Sequence, residues 1–393
     1  MFEEVQAVIN ANIVLRDDIV YGGTLIIKGN HIECVSLPGD TVIPENAKIV
    51  DAGGLYVGPG FVDIHSHGAK GKLIYDEPEE TTTHFLKSGH TTILSAFYDD
   101  LDSVGMIKAA ENIKIVRKNG VSSKIIEGIY MEGPYMNFKY GAEAQNKKWN
   151  PHEINFDDYS RLVETLGDFA KVWVVAPERD GIEDFVKYVK KINPDAVISV
   201  GHSEATPDQI RDLKKYGLIL QTHCMDATGR VGEGGGIRRC GPDEECLLDD
   251  NMYAEVICDS LGIHVDPDML KLIYKVKTKD RIVLITDSTA SDGTASEMYP
   301  DATDLNFDNQ GMISGSKLTL DAACRNMMKH TSCGITDAFV MASYNPACVL
   351  GLDNEIGSIA PGKRANLVFT DSLFNVKRVM LNGKFTEELL CHN

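Results

Sequence analysis

Short apolar runs alternate with longer amphipathic segments along the middle of the chain. The strand-like runs occupy positions 55–64, 91–97, 124–130, 172–176, 196–200, 218–221, 253–257 and 281–285. The intervals carry apolar residues at helical spacing, for example at positions 103–118, 207–216 and 267–276. Strands that alternate with helices predict a parallel sheet. Eight such units favour a TIM (β/α)8 barrel over an open doubly wound sheet.

Both ends of the chain carry a different pattern, in which short β-type runs are separated by turn residues. Such runs lie at positions 7–15 and 23–27 near the N-terminus and at 366–370 and 376–381 near the C-terminus. The last run is followed by Asn382-Gly383, a strong hairpin signal. We expect the two ends to combine in a small β-sandwich domain beside the barrel. The predicted division is residues 1–53 and 350–393 for the sandwich, and 54–349 for the barrel.

Composition limits the classes of partner. The 393-residue chain has a formal net charge of −19 at pH 7, which opposes binding to nucleic acid or to anionic membranes. Its nine cysteines include no Cys-x-x-Cys pair and fit reduced thiols. The N-terminus lacks a basic region before an apolar run, and no apolar stretch approaches the ~20 residues that span a bilayer. These features predict a cytoplasmic protein that acts on small molecules.

Residue types that bind metal ions recur at the downstream ends of the apolar runs. They are His65, His67, Glu132, His202, His223 and Asp287. Each residue considered alone also fits a structural role that needs no metal. The histidines could be hydrogen-bonded, Glu132 could be an ion-paired loop residue, and Asp287 could cap a helix. His65 and His67 are two apart on an extended segment, so their side chains point the same way. Because possible ligands recur at the ends of several predicted strands, we expect them to form one metal site at the open face of the barrel.

Two neighbouring features carry weaker signals. Asp63, two residues before His65, is expected either to orient a ligand or to cap local backbone amides. The Gly-rich positions 232–236 lack the spacing and the lysine of a nucleotide-binding loop. We interpret them as a loop beside the active site.

These motifs resemble those of the amidohydrolase superfamily and, within it, the N-acetylglucosamine-6-phosphate deacetylase family. The resemblance covers nearly the whole chain. The matching stretches are Pro-Gly-Phe-Val-Asp-Ile-His-Ser-His-Gly at 59–68, Met-Glu-Gly-Pro at 131–134, Gly-His-Ser at 201–203, Thr-His at 222–223, Gly-Ile-His-Val at 262–265, Thr-Asp at 286–287, and the segments 315–321, 343–347 and 357–367.

The resemblance implies roles for the ligand set. Glu132, His202 and His223 would hold the principal divalent ion, and His65 with His67 would support a second one. Zinc is the expected metal, with iron or manganese as alternatives, and one or two ions are expected per subunit. Asp287 matches the general base, which takes a proton from the attacking water and gives one to the departing amine. It also counts among the predicted metal ligands.

The resemblance further implies removal of an acyl group, normally acetyl, from an amino sugar, with N-acetylglucosamine 6-phosphate as the expected substrate. The residues expected to bind it are Glu143, Asp226, Ala227, Arg230, Arg239 and His264. Glu143 stands where the family carries a carbonyl-polarising histidine, and Asp226 stands where the family carries a phosphate-binding asparagine. The family supplies an arginine from a neighbouring subunit, so a homodimer is expected.

Several alternatives remain open at this stage. The arginines could instead belong to a solvated basic loop, in which Arg230, Arg238 and Arg239 balance Glu233, Asp243, Glu244 and Glu245. His264 could be a core histidine. The substrate could be an unphosphorylated or differently acylated amide, the reaction could be a deamination, or the protein could bind ligands without catalysis. The last alternative predicts missing metal ligands, yet all six are present in the sequence.

Overall fold

The computed structural model of the chain describes residues 4–98, 101–141, 153–290, 299–308 and 311–391. In chain order, the strands are β1 Val5–Val14, β2 Ile19–Lys28, β3 His31–Ser36, β4 Lys48–Asp51, β5 Tyr56–Pro59, β6 Phe61–Ser66, β7 Gly68–Ala69, β8 Lys72–Leu73, β9 His90–Phe97, β10 Ile126–Met131, β11 Ala170–Val175, β12 Val197–Val200, β13 Leu218–Gln221, β14 Tyr253–Ile257, β15 Ile282–Ile285, β16 Leu305–Phe307, β17 Ile313–Ser316, β18 Leu367–Thr370, β19 Val376–Leu381 and β20 Lys384–Phe385.

The helices of the described residues are α1 Pro78–Lys87, α2 Ser103–Asn119, α3 Phe156–Leu166, α4 Ile182–Ile192, α5 Pro207–Lys214, α6 Pro242–Leu248, α7 Pro267–Lys277, α8 Leu320–Thr331, α9 Ile335–Phe339, α10 Asn345–Val349 and α11 Thr386–Leu390. A π-helical turn, Val340–Tyr344, joins α9 to α10. Within the described ranges, no helix is both long and apolar enough to cross a bilayer.

The centre of the molecule is a parallel barrel. Its strands follow the order β15-β14-β13-β12-β11-β10-β9-β6, and β9 is buried at every position, as expected for strands covered on both faces. The two ends of this order meet, because the Asp287 amide donates to the His65 carbonyl oxygen at 2.9 Å and the His67 amide donates to that of Ser288 at 2.8 Å. The predicted (β/α)8 barrel is confirmed.

The two ends of the chain meet in a second, mixed sheet with the order β20-β19-β18-β5-β1-β2-β3, in which β4 also pairs with β1. Strand β1 changes register near Asn10, where φ is 53°. Its first half pairs with β4 and its second half with β5. Strands from both termini enclose one apolar cluster, which contains Val8, Leu25, Val57, Leu367 and Met380. This is the small β-sandwich domain expected from the two terminal patterns.

The predicted boundary at residue 54 remains a prediction, and the strand pairing argues for a later one. Strand β5 pairs antiparallel with β18 in the terminal sheet, whereas β6 pairs with β9 in the barrel. The apolar run at 55–64 therefore contains two strands that belong to different sheets. We propose Gly60, which lies between them, as the transition.

Candidate metal centre and active site

The barrel brings all six predicted ligands to the carboxyl ends of its strands. His65 lies within β6, and His67 and Glu132 directly follow β6 and β10. The other three lie two residues beyond a strand end: His202 after β12, His223 after β13 and Asp287 after β15. All six are buried. Because the carboxyl ends of parallel strands open onto one face of a barrel, side chains distant in sequence converge there.

The Glu132 carboxylate lies at the centre of this cluster. Its Oε1 is 3.0 Å from Nε2 of His202 and 3.1 Å from Nε2 of His223. Its Oε2 is 3.1 Å from Nε2 of His67 and 3.4 Å from Nε2 of His65. Each carboxylate oxygen thus faces one pair of imidazoles. Two groups of three possible ligands result, each with its ligand atoms within 4.8 Å of one another, and both groups include Glu132.

Asp287 borders the group that contains His65 and His67. Its Oδ1 lies 3.2 Å from Nε2 of His67 and 3.7 Å from Nε2 of His65. Two backbone hydrogen bonds fix its position. Its amide donates to the His65 carbonyl oxygen, and its own carbonyl oxygen accepts from the Ser316 amide at 2.8 Å. The carboxylate is therefore fixed within reach of the place where the imidazoles and Glu132 converge.

Three of the imidazoles are oriented by acceptors on their far side. Nδ1 of His65 lies 3.3 Å from Oε2 of Glu255. Nδ1 of His202 donates to the Tyr140 carbonyl oxygen at 3.0 Å, and Nδ1 of His223 donates to that of Asp226 at 3.2 Å. A proton held on Nδ1 leaves the Nε2 lone pair free for an ion, which is the usual arrangement of histidine ligands.

The charges of the cluster reinforce one another. Burial disfavours a charged imidazole at His67, but the hydrogen bonds that it donates to Asp287 and Glu132 outweigh burial and raise its pKa to about 9. Burial likewise opposes the charged form of His65, whose pKa is raised well above its ordinary value by the fields of Glu132 and Asp287. Burial would raise the pKa of Glu132, yet His65, His202 and His223 hold it well below the usual range. The carboxylates that favour a proton on these imidazoles would also favour a divalent cation at the same place.

The backbone at the ligands is itself unusual. His202, His223 and Asp287 have φ angles of 45°, 28° and 44°. Residues other than glycine seldom adopt this left-handed conformation, and such strain gathers at functional sites. The turn after His223 continues the pattern, with φ of 69° at Met225 and 50° at Ala227.

A cleft opens above the cluster. Of the residues expected to bind substrate, Asp226, Ala227 and His264 line it. Nδ1 of His264 lies 3.3 Å from Asp259, and its Nε2 is buried without a hydrogen-bond partner among the described residues. One ring nitrogen of His264 is therefore available to a ligand in the cleft, and its contact with substrate stays a prediction.

The remaining expectations about substrate binding have different outcomes. Arg230 does not line the cleft; its Nη2 donates to Glu244 Oε1 at 2.6 Å and lies 3.6 Å from Asp243. These ion pairs fit the basic-loop alternative, and contact of Arg230 with the substrate of a neighbouring subunit stays a prediction. Arg239 is exposed and is likewise not part of the cleft wall that the structure describes. Glu143 lies outside the described residues, so its role stays a prediction.

The cleft also contains residues that the sequence did not single out. Tyr98 directly follows β9, Met136 lies in the loop after β10, and Ile313 belongs to the β16–β17 hairpin. Glu255 lies behind the cluster in β14. Its sequence signal was available: an acidic residue in the middle of the apolar run Tyr-Ala-Glu-Val-Ile is a buried charge in need of a partner.

A parallel barrel with histidine and carboxylate ligands at its strand ends defines a class of metal-dependent hydrolases. A family model described as "Amidohydrolase family" matches residues 56–386. The chain therefore belongs to the amidohydrolase family, which is metal-dependent, and it is a hydrolase that acts on amide bonds. The resemblance inferred from the motifs is confirmed.

Individual relatives are similar over most of the chain. The N-acetylglucosamine-6-phosphate deacetylase of Haemophilus influenzae is 26% identical over 397 residues, covering 97% of this chain and 99% of the relative. The N-acetylgalactosamine-6-phosphate deacetylase of Escherichia coli O157:H7 is 29% identical over 350 residues, covering 83% and 86%.

Solved structures agree with this assignment. The N-acetylglucosamine-6-phosphate deacetylase of Pasteurella multocida superposes with a TM-score of 0.84 at 26% identity, covering 97% of this chain and 99% of that one. The Thermotoga maritima enzyme of the same name has a TM-score of 0.79 at 29% identity, with the same coverage. Similarity therefore extends over the terminal sandwich as well as the barrel.

Proposed function

We propose that the protein hydrolyses the acetyl amide of N-acetylglucosamine 6-phosphate to give glucosamine 6-phosphate and acetate. The observation that carries the proposal is the complete ligand set, with Asp287 3.2 Å from His67 at the floor of the cleft. Relatives that act on two different N-acetylated sugar phosphates support the substrate class.

The donor set suits one or two divalent ions. Glu132, His202 and His223 would hold the principal ion, and His65 with His67 would hold a second, with Glu132 shared between them. The buried Nε2 of His65 has no hydrogen-bond partner among the described residues, which fits a metal ligand. Zinc is the proposed metal, and iron or manganese would accept the same ligands. A bound ion of this kind lowers the pKa of water to about 7 and polarises a carbonyl.

The chain's own residues complete the reaction. Asp287 takes a proton from the attacking water and delivers one to the amine nitrogen, because an amine leaves poorly without protonation. Nε2 of His264 contacts the sugar from the side of the cleft. Ala227, also in the cleft wall, lies beside the sugar with its small side chain.

The proposal is tested by measuring acetate release from N-acetylglucosamine 6-phosphate by the zinc-loaded protein. Asp287→Asn keeps the size of the side chain but removes the base. We expect its kcat to fall by about 10²- to 10⁴-fold, the contribution typical of a general acid or base. Equal turnover by the variant and the wild type, or ammonia released without acetate, would reject the proposal.

A second candidate substrate is an N-acylated amino sugar without the phosphate. Asp226 places a carboxylate in the cleft, and Arg230 is held by Glu244 rather than facing it. Among the described residues that line the cleft, lysine and arginine are absent. A phosphate dianion would therefore meet a like charge and no side-chain cation from this part of the chain.

The ratio of kcat/KM for the sugar phosphate to that for the free sugar separates the two candidates. If the free sugar is the substrate, wild type prefers it, and Asp226→Asn raises the ratio by about tenfold, because a repulsion of about 1.4 kcal/mol is removed. If the phosphate is the substrate, wild type already prefers it. Asp208→Asn, a change at an exposed carboxylate of α5, serves as the control and should leave the ratio unchanged.

We further propose a cytoplasmic homodimer. The described cysteines are all free thiols, as is usual in a reducing compartment.

Helix α7 exposes Met269, Leu272 and Val276, which lie three and four residues apart on one face. Such an apolar stripe suits contact with a second copy. Light scattering of the purified protein tests the dimer, and a monomer at all concentrations would reject it.

A further inference from the structure

Glu255 is a buried carboxylate that the proposed reaction does not use. It lies in the middle of β14 with no exposed surface. Its Oε2 is 3.3 Å from Nδ1 of His65, 3.0 Å from the Tyr130 hydroxyl and 3.3 Å from the His223 amide. Its Oε1 has no hydrogen-bond partner among the described residues. The side chain therefore contacts residues of β6 and β10 across the barrel interior.

The contact distinguishes His65 from the other oriented histidines. His202 and His223 direct Nδ1 at neutral backbone carbonyls, whereas His65 directs it at a carboxylate. A carboxylate on the far nitrogen fixes the proton on Nδ1 and makes Nε2 a stronger electron donor than a carbonyl does. The ring is also stacked on Tyr130, with centroids 4.2 Å apart and planes inclined by 24°. The direction of Nε2 is thus set by two neighbours.

The charge of Glu255 calls for compensation. A carboxylate removed from water is costly unless it is paired. Within the described residues, its donors are an imidazole, a phenol and a peptide amide, and no lysine or arginine is among its ion pairs. A cation bound on the far side of the His65 ring would provide the missing positive charge through that ring.

We propose that Glu255 is a positioning residue that strengthens binding of the ion held by His65 and His67. The proposal rests on the metal-dependent function proposed above, and it concerns one ion position only. The principal position at Glu132, His202 and His223 has two carbonyl-oriented histidines and depends on Glu255 much less.

Two variants separate this role from simple packing. Glu255→Gln retains the size of the side chain and one acceptor oxygen at the place of Oε2, while its amide group occupies the place of the unpartnered Oε1. It therefore removes mainly the charge. Tyr130→Phe, the matched control, removes a hydroxyl that donates to the same carboxylate but keeps the ring that stacks on His65.

The experiment measures metal content rather than turnover. Metal-free protein is titrated with Zn²⁺ and the bound ions are counted by elemental analysis; a parallel titration with Co²⁺ follows the visible absorption of each equivalent. We expect two ions in the wild type and in Tyr130→Phe. In Glu255→Gln we expect one ion at wild-type affinity and a second bound about 10- to 100-fold more weakly, with an altered second Co²⁺ spectrum.

The outcomes that overturn the proposal are equally specific. Wild-type affinity for both ions in Glu255→Gln, a single ion in the wild type, or equal losses in both variants would each reject it. If Glu255→Gln does not fold, Glu255→Asp keeps the charge but shortens its reach, and unchanged affinity for the second ion there rejects the proposal. Metal counts are independent of acetate release, so two ions without deacetylation would reject the proposed function and leave this role intact.

Discussion

Three histidines of the proposed metal site direct their two ring nitrogens at different partners. In His65, His202 and His223, Nδ1 faces a protein acceptor and Nε2 faces the shared carboxylate of Glu132. Ligand atoms must be free of protons before they bind an ion, so protons and metal compete for the same positions. The strength of this competition follows from the carboxylates that surround the imidazoles.

The competition between a proton and a metal ion can be measured at His67. Its pKa is raised to about 9 in the metal-free cluster, above its ordinary value of 6.5. The stabilisation that this proton gives the metal-free protein is complete below pH 6.5 and is lost as pH rises through about 9. An ion that binds at pH 7 must therefore displace the proton.

We accordingly expect Zn²⁺ binding at pH 7 to release protons and its apparent affinity to rise as pH approaches about 9. Calorimetry in buffers of different ionisation enthalpy counts the protons released. Binding without proton release at pH 7, or an affinity that stays constant from pH 6 to 9, would contradict the assignment of His67 as a ligand.

The sequence predicted that the six proposed ligands converge because each lies at or just beyond the end of an apolar run, and a parallel barrel brings such positions to one face. It did not identify the partner of His65, since Glu255 is distant in sequence and only the folded barrel brings the two together. Asp63, unlike Glu255, lies close in sequence to His65. Its carboxylate accepts from the His65 amide at 3.3 Å, the Thr286 amide at 3.4 Å and the Thr286 hydroxyl at 2.6 Å, which fits the capping of local backbone amides.

At the scale of elements, the β16–β17 hairpin supports the segment that carries Asp287. The Ser316 amide donates to the Asp287 carbonyl oxygen, and the Thr289 amide donates to that of Ser316 at 3.0 Å. Gly315 permits this approach: a Cβ there would lie 2.6 Å from the Asp287 carbonyl oxygen, and its φ is +65°. The hairpin therefore sets the position of the proposed base.

Gly315→Ala should displace Asp287 and lower kcat/KM for the proposed substrate by at least about tenfold, because small misplacements of reacting groups are costly in rate. Gly311→Ala is the matched control in the same hairpin. Its φ is +79°, but a Cβ there would lie more than 4 Å from the other residues that the structure describes, its chain neighbours aside. Similar activity losses in both variants would indicate that backbone strain, rather than contact with Asp287, is responsible.

Helices and strands can be predicted from this sequence where apolar residues recur regularly. They cannot be predicted where contacts with distant parts of the chain determine where a strand begins and ends. All eight predicted barrel strands are present. The mostly apolar run at 55–64 predicts one strand, and only pairing with β18 and with β9 divides it at Gly60. The β16–β17 hairpin had no clear pattern, since its strands are short and gain their order from contact with the barrel.

At the scale of the whole molecule, an aromatic cluster joins the terminal sheet to the barrel. Phe374, from the loop between β18 and β19, stacks on Phe61 of β6 with ring centroids 5.8 Å apart. It also packs on Phe339 of α9 at 4.8 Å. The first strand of the barrel is thus held by the last part of the chain, which couples the stability of both domains.

Phe374→Ala should lower the free energy of unfolding by about 3–5 kcal/mol, the usual range for removing a fully buried phenylalanine. Thermal or denaturant unfolding followed by circular dichroism measures the change. Leu373→Ala, at the exposed neighbour with 71% of its surface accessible, should change it little. If Phe374→Ala is as stable as Leu373→Ala, the cluster does not couple the domains.

The left-handed backbone at His202, His223 and Asp287 has a consequence for engineering. An L-residue in that conformation costs about 1–2 kcal/mol, whereas glycine adopts it readily. The most stable sequence for this backbone is therefore not the active one. Selection for heat resistance alone would be expected to replace these three side chains early, and a library screened in that way should also be screened for turnover.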